Sequence, residues 1–292
     1  MFKGSYVALI TPFKNGKVDY EGLEKLVEFH IQSGTHGIVP MGTTGESATV
    51  THEEHKEIVR FVTAKVNKRI KVIAGSGSNS TAEAIELAAE AKKAGADAHL
   101  SITPYYNKPT QEGLIRHFTA ISEAVDLPMV VYNVPGRTGV NMLPQTVAKL
   151  AKVRNIVALK EAAGSVKQVM EVLELTGPDF TVFSGDDFIN FPILAVGGRG
   201  FISVTANIAP KKLAECWNLW EKGDIEGAKK AHYSALPLHR DLFIETSPIP
   251  VKTAAHLMGL IDTLEFRLPL CEMSPDTLAK LKDTLKAQDL IK

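Results

Sequence analysis

The sequence is poor in cysteine, has no excess charge of either sign and contains no long apolar run. Two cysteines, Cys216 and Cys271, are spread over 292 residues. That excludes a disulfide framework and a four-cysteine zinc site, and it fits a reducing cytosol. The 33 basic residues match 33 acidic ones, so the formal net charge is zero. Without a global positive field, nucleic acid is not expected as a main partner. The most apolar stretches, such as 191–196, fall far short of the ~20 residues needed to span a bilayer. The opening Met1-Phe2-Lys3-Gly4-Ser5 has neither the basic region nor the apolar run of a signal peptide. The expectation is a soluble cytoplasmic protein that does not engage a membrane. Its length corresponds to one large domain or two medium ones.

What is present is alternation. Short apolar runs at 6–10, 37–41, 72–74, 98–103, 129–132, 156–160, 181–184 and 200–204 read as strands. Stretches with helical spacing follow them, among them 54–66, 81–94, 112–124, 144–152, 165–175 and 188–195, several stopped by glycine. The strands are continuously apolar rather than alternating, as in a parallel sheet buried on both faces. Eight such units predict an α/β fold, a (β/α)8 TIM barrel; an open doubly wound sheet is the alternative. Beyond residue 222 the strands stop, and 223–239, 250–259 and 275–290 read as helices. The expected organisation is a barrel domain over 1–222 and a C-terminal helical extension, a three-helix region over 223–292.

In such a barrel the chemistry gathers at the C-terminal ends of the strands, and the unusual residues fall there. Lys160 directly follows the apolar run Ile156-Val157-Ala158-Leu159. Desolvation in a barrel mouth lowers a lysine pKa and frees the amine to form a Schiff base with a carbonyl. The other reading is a strand-end lysine that reaches solvent or pairs with Glu161. Tyr132 ends the preceding strand and offers a phenol for proton transfer, or else is a core tyrosine with a satisfied hydroxyl. Arg137, in a Pro-Gly turn, suits a carboxylate, or is a solvated surface arginine. Thr43-Thr44, between glycines, offers hydroxyls and amides to a small carboxylate, or is a plain turn.

Other motifs fail on inspection. Gly75-Ser76-Gly77-Ser78-Asn79-Ser80 lacks the third glycine of a dinucleotide loop, and Gly42 to Ser47 lacks a Gly-Lys-Ser/Thr ending. His52-Glu53-Glu54-His55 is one residue short of the zinc-protease spacing. Asp186-Asp187 lacks a third carboxylate at a suitable spacing and reads as a turn. No metal site is expected.

Gly42-Thr43-Thr44-Gly45-Glu46, Tyr132-Asn133-Val134-Pro135-x-Arg137-Thr138-Gly139 and Leu159-Lys160-Glu161-Ala162 occur in that order. With Thr103 to Pro109 and Ser203 to Asn207, this series resembles the pyruvate-dependent class I aldolases of the dihydrodipicolinate synthase family, over nearly the whole chain. The resemblance implies condensation of pyruvate with L-aspartate-4-semialdehyde on the way to diaminopimelate and lysine. It makes Lys160 the Schiff-base residue and Tyr132 the general acid/base, with Thr44 and Tyr106 completing a proton relay, Tyr106 from a neighbouring subunit. Thr43 and Thr44 hold the pyruvate carboxylate, Arg137 binds the semialdehyde carboxylate, and Ile202 and Gly185 belong to the substrate site. The imine itself is the electron sink, so no cofactor is required. The usual assembly in the family is a homotetramer, a dimer of dimers. Relatives inhibited by L-lysine bind it with residues matching Ser47, Ala48, His52, His55, Asn79, Glu83 and Tyr105, so feedback inhibition is expected. N-acetylneuraminate lyases and 2-keto-3-deoxy sugar-acid aldolases share the lysine and tyrosine; Arg137 and the Thr-Thr pair favour the synthase. Two positions depart from the family pattern: Ser247, where many relatives have Asn, and His99 inside strand four, expected to be a buried neutral histidine with one bonded nitrogen.

Overall fold

The computed structural model describes residues 2–292. Eight strands, Gly4–Ala8, Gly37–Val39, Lys71–Gly75, Ala98–Ile102, Met129–Asn133, Ile156–Glu161, Thr181–Ser184 and Gly200–Ser203, close into a barrel. Each lies beside its neighbour in sequence, and the last lies beside the first. The ladders are parallel. Strands such as Gly4–Ala8 and Met129–Asn133 are buried at every position, which explains why their sequences are mostly apolar. All eight predicted strands and the barrel are present, and the open sheet is not. The helices Ile225–Asp241, Ile249–Leu257 and Pro275–Ala287 form the C-terminal extension.

Contacts divide the chain into two compact units: the residues up to Gly4 together with Lys71–Ile202, and Ser5–Ile70 with Ser203–Lys292. In the first unit, strands three to eight are joined by helices Thr81–Lys93, Gln111–Ala124, Pro144–Leu150, Val166–Thr176 and Asn190–Ala195. The sequence supplies the helix starts. Thr110 and Ser165 accept hydrogen bonds from the amides of Gly113 and Gln168 as N-caps, and Pro144 occupies a first-turn position. Gly200 sits at a φ of +135°, and a Cβ there would lie 2.2 Å from the Gly4 carbonyl oxygen. Only glycine lets the two backbones approach so closely.

The second unit holds strands one and two, helices Tyr20–Gln32, His52–Val66 and Pro210–Glu221, and the extension. Thr51 and Glu54 form a reciprocal capping box at the start of His52–Val66. The first strand ends two residues earlier than its apolar run: Leu9 and Ile10 remain buried, but the Ile10 amide donates to Asn207 Oδ1 at 3.0 Å instead of to a ladder. A small hairpin, Phe13–Lys14 with Lys17–Val18, was not expected. Asn15 and Gly16 turn it with φ of 55° and 72°, the Asn-Gly signal of a tight hairpin, and the Glu265 carboxylate accepts both their amides.

Candidate active site

The fifth and sixth strands pair in a register that sets Tyr132 opposite Lys160 and Asn133 opposite Glu161. Lys160 Nζ lies 4.2 Å from the centre of the Tyr132 ring. The lysine is 6% exposed and the tyrosine 7%, so Lys160 does not reach solvent as a strand-end lysine would. Burial brings the Lys160 pKa down to about 8, with Asp187 opposing that shift and Arg137 adding to it. At pH 7 the neutral fraction thereby rises from roughly 0.03% to roughly 10%. Burial also raises Tyr132 to about 12, against the pull of Arg137. A mostly protonated phenol therefore stands beside a partly neutral amine, which is the pairing that imine chemistry uses.

Gly185 makes room for this lysine. A Cβ at Gly185 would lie 2.9 Å from Lys160 Cε and 3.0 Å from its Cγ. The Gly185 amide donates to the Glu161 carbonyl at 2.7 Å. Arg137 rides on the short helix Pro135–Thr138 and is exposed, yet close enough to bias both titrating groups. Ile202 ends the eighth strand and is buried. Tyr106 follows the fourth strand in the same unit. It is 90% exposed with a φ of 71°, so within one chain its ring covers nothing.

Glu161 carries a signal that the sequence reading did not use. Its buried carboxylate accepts from Asn133 Nδ2 at 3.0 and 3.1 Å, Gln168 Nε2 at 3.1 Å and the Ala163 amide at 2.8 Å. Burial raises its pKa against these hydrogen bonds. His99 behaves as expected: it is fully buried, with Nδ1 2.7 Å from Ser76 Oγ, and burial lowers it to about 4.

In the second unit, Thr43 and Thr44 lie in the 3-10 turn Thr43–Gly45, Thr44 being buried. Glu46 closes the turn in the left-handed region at a φ of 59°. Its carboxylate accepts from Lys252 Nζ at 2.6 Å, with both side chains wholly buried. Lys252 Nζ also lies 4.1 Å from the Phe13 ring centre. Arg267 grips Glu54 through two hydrogen bonds of 2.6 Å. Glu46 stands in a motif quoted from the sequence, but its 206-residue separation from Lys252 hid the pairing.

The residues expected to bind lysine fall on two stretches. In the first unit, Asn79 Nδ2 donates to the Tyr105 carbonyl at 3.2 Å, and Glu83 accepts from Ser78 Oγ. In the second, Ser47 and Ala48 precede the helix His52–Val66, where His52 is exposed and His55 buried. Among the described residues no group of three or more His, Cys, Asp or Glu is placed to hold a metal ion. No helix among them is long and apolar enough to cross a membrane.

Comparison with known proteins points to one family. A 4-hydroxy-tetrahydrodipicolinate synthase of Thermodesulfovibrio yellowstonii is 59% identical over 292 residues, spanning 100% of both chains. The crystal structure of a chloride-inhibited dihydrodipicolinate synthase from Acinetobacter baumannii, complexed with pyruvate, superposes with a TM-score of 0.97 at 48% identity, covering 100% of each chain. A lysine-bound dihydrodipicolinate synthase from Cyanidioschyzon merolae gives 0.95 at 41% identity, over 99% of this chain and 99% of that one. The model of the dihydrodipicolinate synthetase family matches residues 1–288. The chain is thus an enzyme, a lyase, and belongs to the dihydrodipicolinate synthetase family.

Proposed function

We propose that this enzyme condenses pyruvate with L-aspartate-4-semialdehyde to give 4-hydroxy-tetrahydrodipicolinate, in the route to diaminopimelate and lysine. The observation that carries the reading is the buried Lys160 amine, lowered to about 8 and set against the Tyr132 ring.

The neutral Lys160 amine adds to the pyruvate ketone. Tyr132, held protonated, supplies the proton that lets hydroxide leave as water, and an imine forms. The protonated imine draws electrons from the adjacent methyl group, which loses a proton to give an enamine. The enamine carbon attacks the aldehyde of the second substrate, whose carboxylate Arg137 binds. The amine of the bound semialdehyde then displaces Lys160 and closes the ring. No metal or organic cofactor takes part in this sequence. Thr43 and Thr44 hold the pyruvate carboxylate, and Ile202 and Gly185 belong to the pyruvate site. Thr44 and Tyr106 relay protons. The exposure of Tyr106 supports its delivery to a neighbouring subunit, in a cytoplasmic homotetramer built as a dimer of dimers.

L-Lysine inhibits the enzyme through Ser47, Ala48, His52, His55, Asn79, Glu83 and Tyr105. Glu83 pairs with an ammonium group, and the lysine-bound state of the Cyanidioschyzon merolae relative supports the assignment. Initial rates unchanged by millimolar lysine refute it. The main test is reductive trapping. Borohydride with pyruvate should label the native protein at one site and leave Lys160→Ala unlabelled. Labelling of the variant at full stoichiometry, or turnover of N-acetylneuraminate alone, overturns the reading.

A further inference from the structure

Successive residues of a strand point to opposite faces. Tyr132 and Lys160 face each other at the chemical site, so their neighbours Asn133 and Glu161, also paired in register, turn the other way. There they meet the helix Val166–Thr176 and the return of the Arg137 loop. Asn133 Nδ2 donates to Asn141 Oδ1 at 2.8 Å, and Asn133 Oδ1 accepts the Met142 amide at 2.9 Å. Gln168 and Asn141 exchange side-chain hydrogen bonds of 2.9 and 3.1 Å. The segment between Asn133 and Asn141 holds the short helix Pro135–Thr138 and with it Arg137. Thr138 Oγ1, inside it, is bonded to the Val134 and Val140 carbonyls. One foot of the arginine loop, Asn133, therefore bonds the buried Glu161 carboxylate directly, and the other, Asn141, is tied to Asn133 and Gln168, which both bond it.

We propose that Glu161, through Asn133 and Gln168, is a positioning residue for Arg137 and so sets recognition of the second substrate's carboxylate, without taking part in imine formation. This rests on the roles of Lys160 and Arg137 given under Proposed function. Every side-chain and backbone group that faces the carboxylate is a donor. Glu161→Gln keeps the shape but turns an amide N–H toward other N–H groups. The network must then open or rotate, and the loop moves with it.

Misplacing a substrate-clamping group by about 1 Å costs on the order of 100-fold. Glu161→Gln should therefore raise the KM for aspartate semialdehyde by roughly 10- to 100-fold. Borohydride trapping of pyruvate should keep its native rate and stoichiometry. Gln168→Leu, on the outer side of the network, should show the same split more weakly and provides a second route if Glu161→Gln folds poorly. In a double-mutant cycle, Glu161→Gln added to Arg137→Ala should change the semialdehyde KM no further. Loss of pyruvate trapping in parallel with semialdehyde use, or multiplicative effects in the cycle, overturns the proposal. A native enzyme that traps no pyruvate, or an Arg137→Ala variant with native semialdehyde KM, instead overturns the underlying reading, and the proposal with it.

Discussion

Replacing the reactive lysine should make the protein more stable while abolishing its chemistry. Lys160 is 6% exposed and its pKa is about 8, against an ordinary 10.5, mainly because burial disfavours the charged form. The difference of about 2.5 units corresponds to ~3 kcal/mol that the charged amine costs the folded state. Lys160→Met keeps the length of the stem and removes the charge. Loss of the contact with the Tyr132 ring returns about 0.5–1 kcal/mol of that gain, leaving a net stabilisation of ~2 kcal/mol. A chain of 292 residues has an unfolding entropy of roughly 0.6 kcal/mol/K, so the melting temperature should rise by ~3–4 °C at pH 7. The sign of the pH dependence follows from a folded pKa lower than the unfolded one. Below pH 8 both states are charged and the penalty is complete. Between 8 and about 10.5 the folded protein loses its proton first, and the penalty fades. Melting curves of the two proteins by calorimetry should therefore differ at pH 6–7 and converge as pH approaches 10. A variant less stable than the native protein at pH 7, or a gap that widens with pH, refutes the argument that desolvation of an unpaired amine primes this site.

Other perturbations follow from the same contacts. Lys252→Met leaves the Glu46 carboxylate buried without its partner and should cost about 3–5 kcal/mol, whereas Glu46→Leu combined with Lys252→Met should recover most of it; denaturant midpoints decide, and equal losses in the single and double variants refute the pairing. Gly185→Ala sets a methyl group 2.9 Å from Lys160 Cε, so the lysine must leave its rotamer; pyruvate trapping should slow by at least about tenfold, and a native trapping rate means that the backbone yields instead. Thr51→Ala removes the capping box of His52–Val66 and should lower stability by about 1 kcal/mol, measured by thermal unfolding.

The barrel was legible because its strands are mostly apolar runs bounded by glycine or by helical spacing, a local pattern. Lys160 and Tyr132 stood out for the opposite reason: each is a polar group ending such a run, open to a chemical reading or to a plain one, solvent or a Glu161 pair for the lysine and a satisfied core hydroxyl for the tyrosine. Sequence could not decide between such readings, since that depends on residues such as Gly185 and Asp187, which follow the next strand. The hairpin at Phe13–Val18 carried its signal in Asn15-Gly16, yet its strands are two residues each, too short for any periodicity to register. The Glu46–Lys252 pair joins positions 206 apart in sequence, and no local pattern encodes a contact of that range.

Glu161 shows why the remaining part was hidden. Next to Lys160 in sequence, it invites the reading of an ion pair, and that was the alternative to a reactive amine. A strand denies it: adjacent residues project to opposite faces, so proximity in sequence separates these two charges instead of joining them. If the carboxylate did face the amine, it would hold the proton on and raise the lysine pKa. Turned away, it gathers four hydrogen bonds from Asn133, Gln168 and Ala163, and the lysine is left to the desolvation that lowers it. The Lys-Glu dipeptide therefore serves both needs of the site. Its first residue is kept reactive because the second faces the other way, and the second is free to brace the loop that carries Arg137.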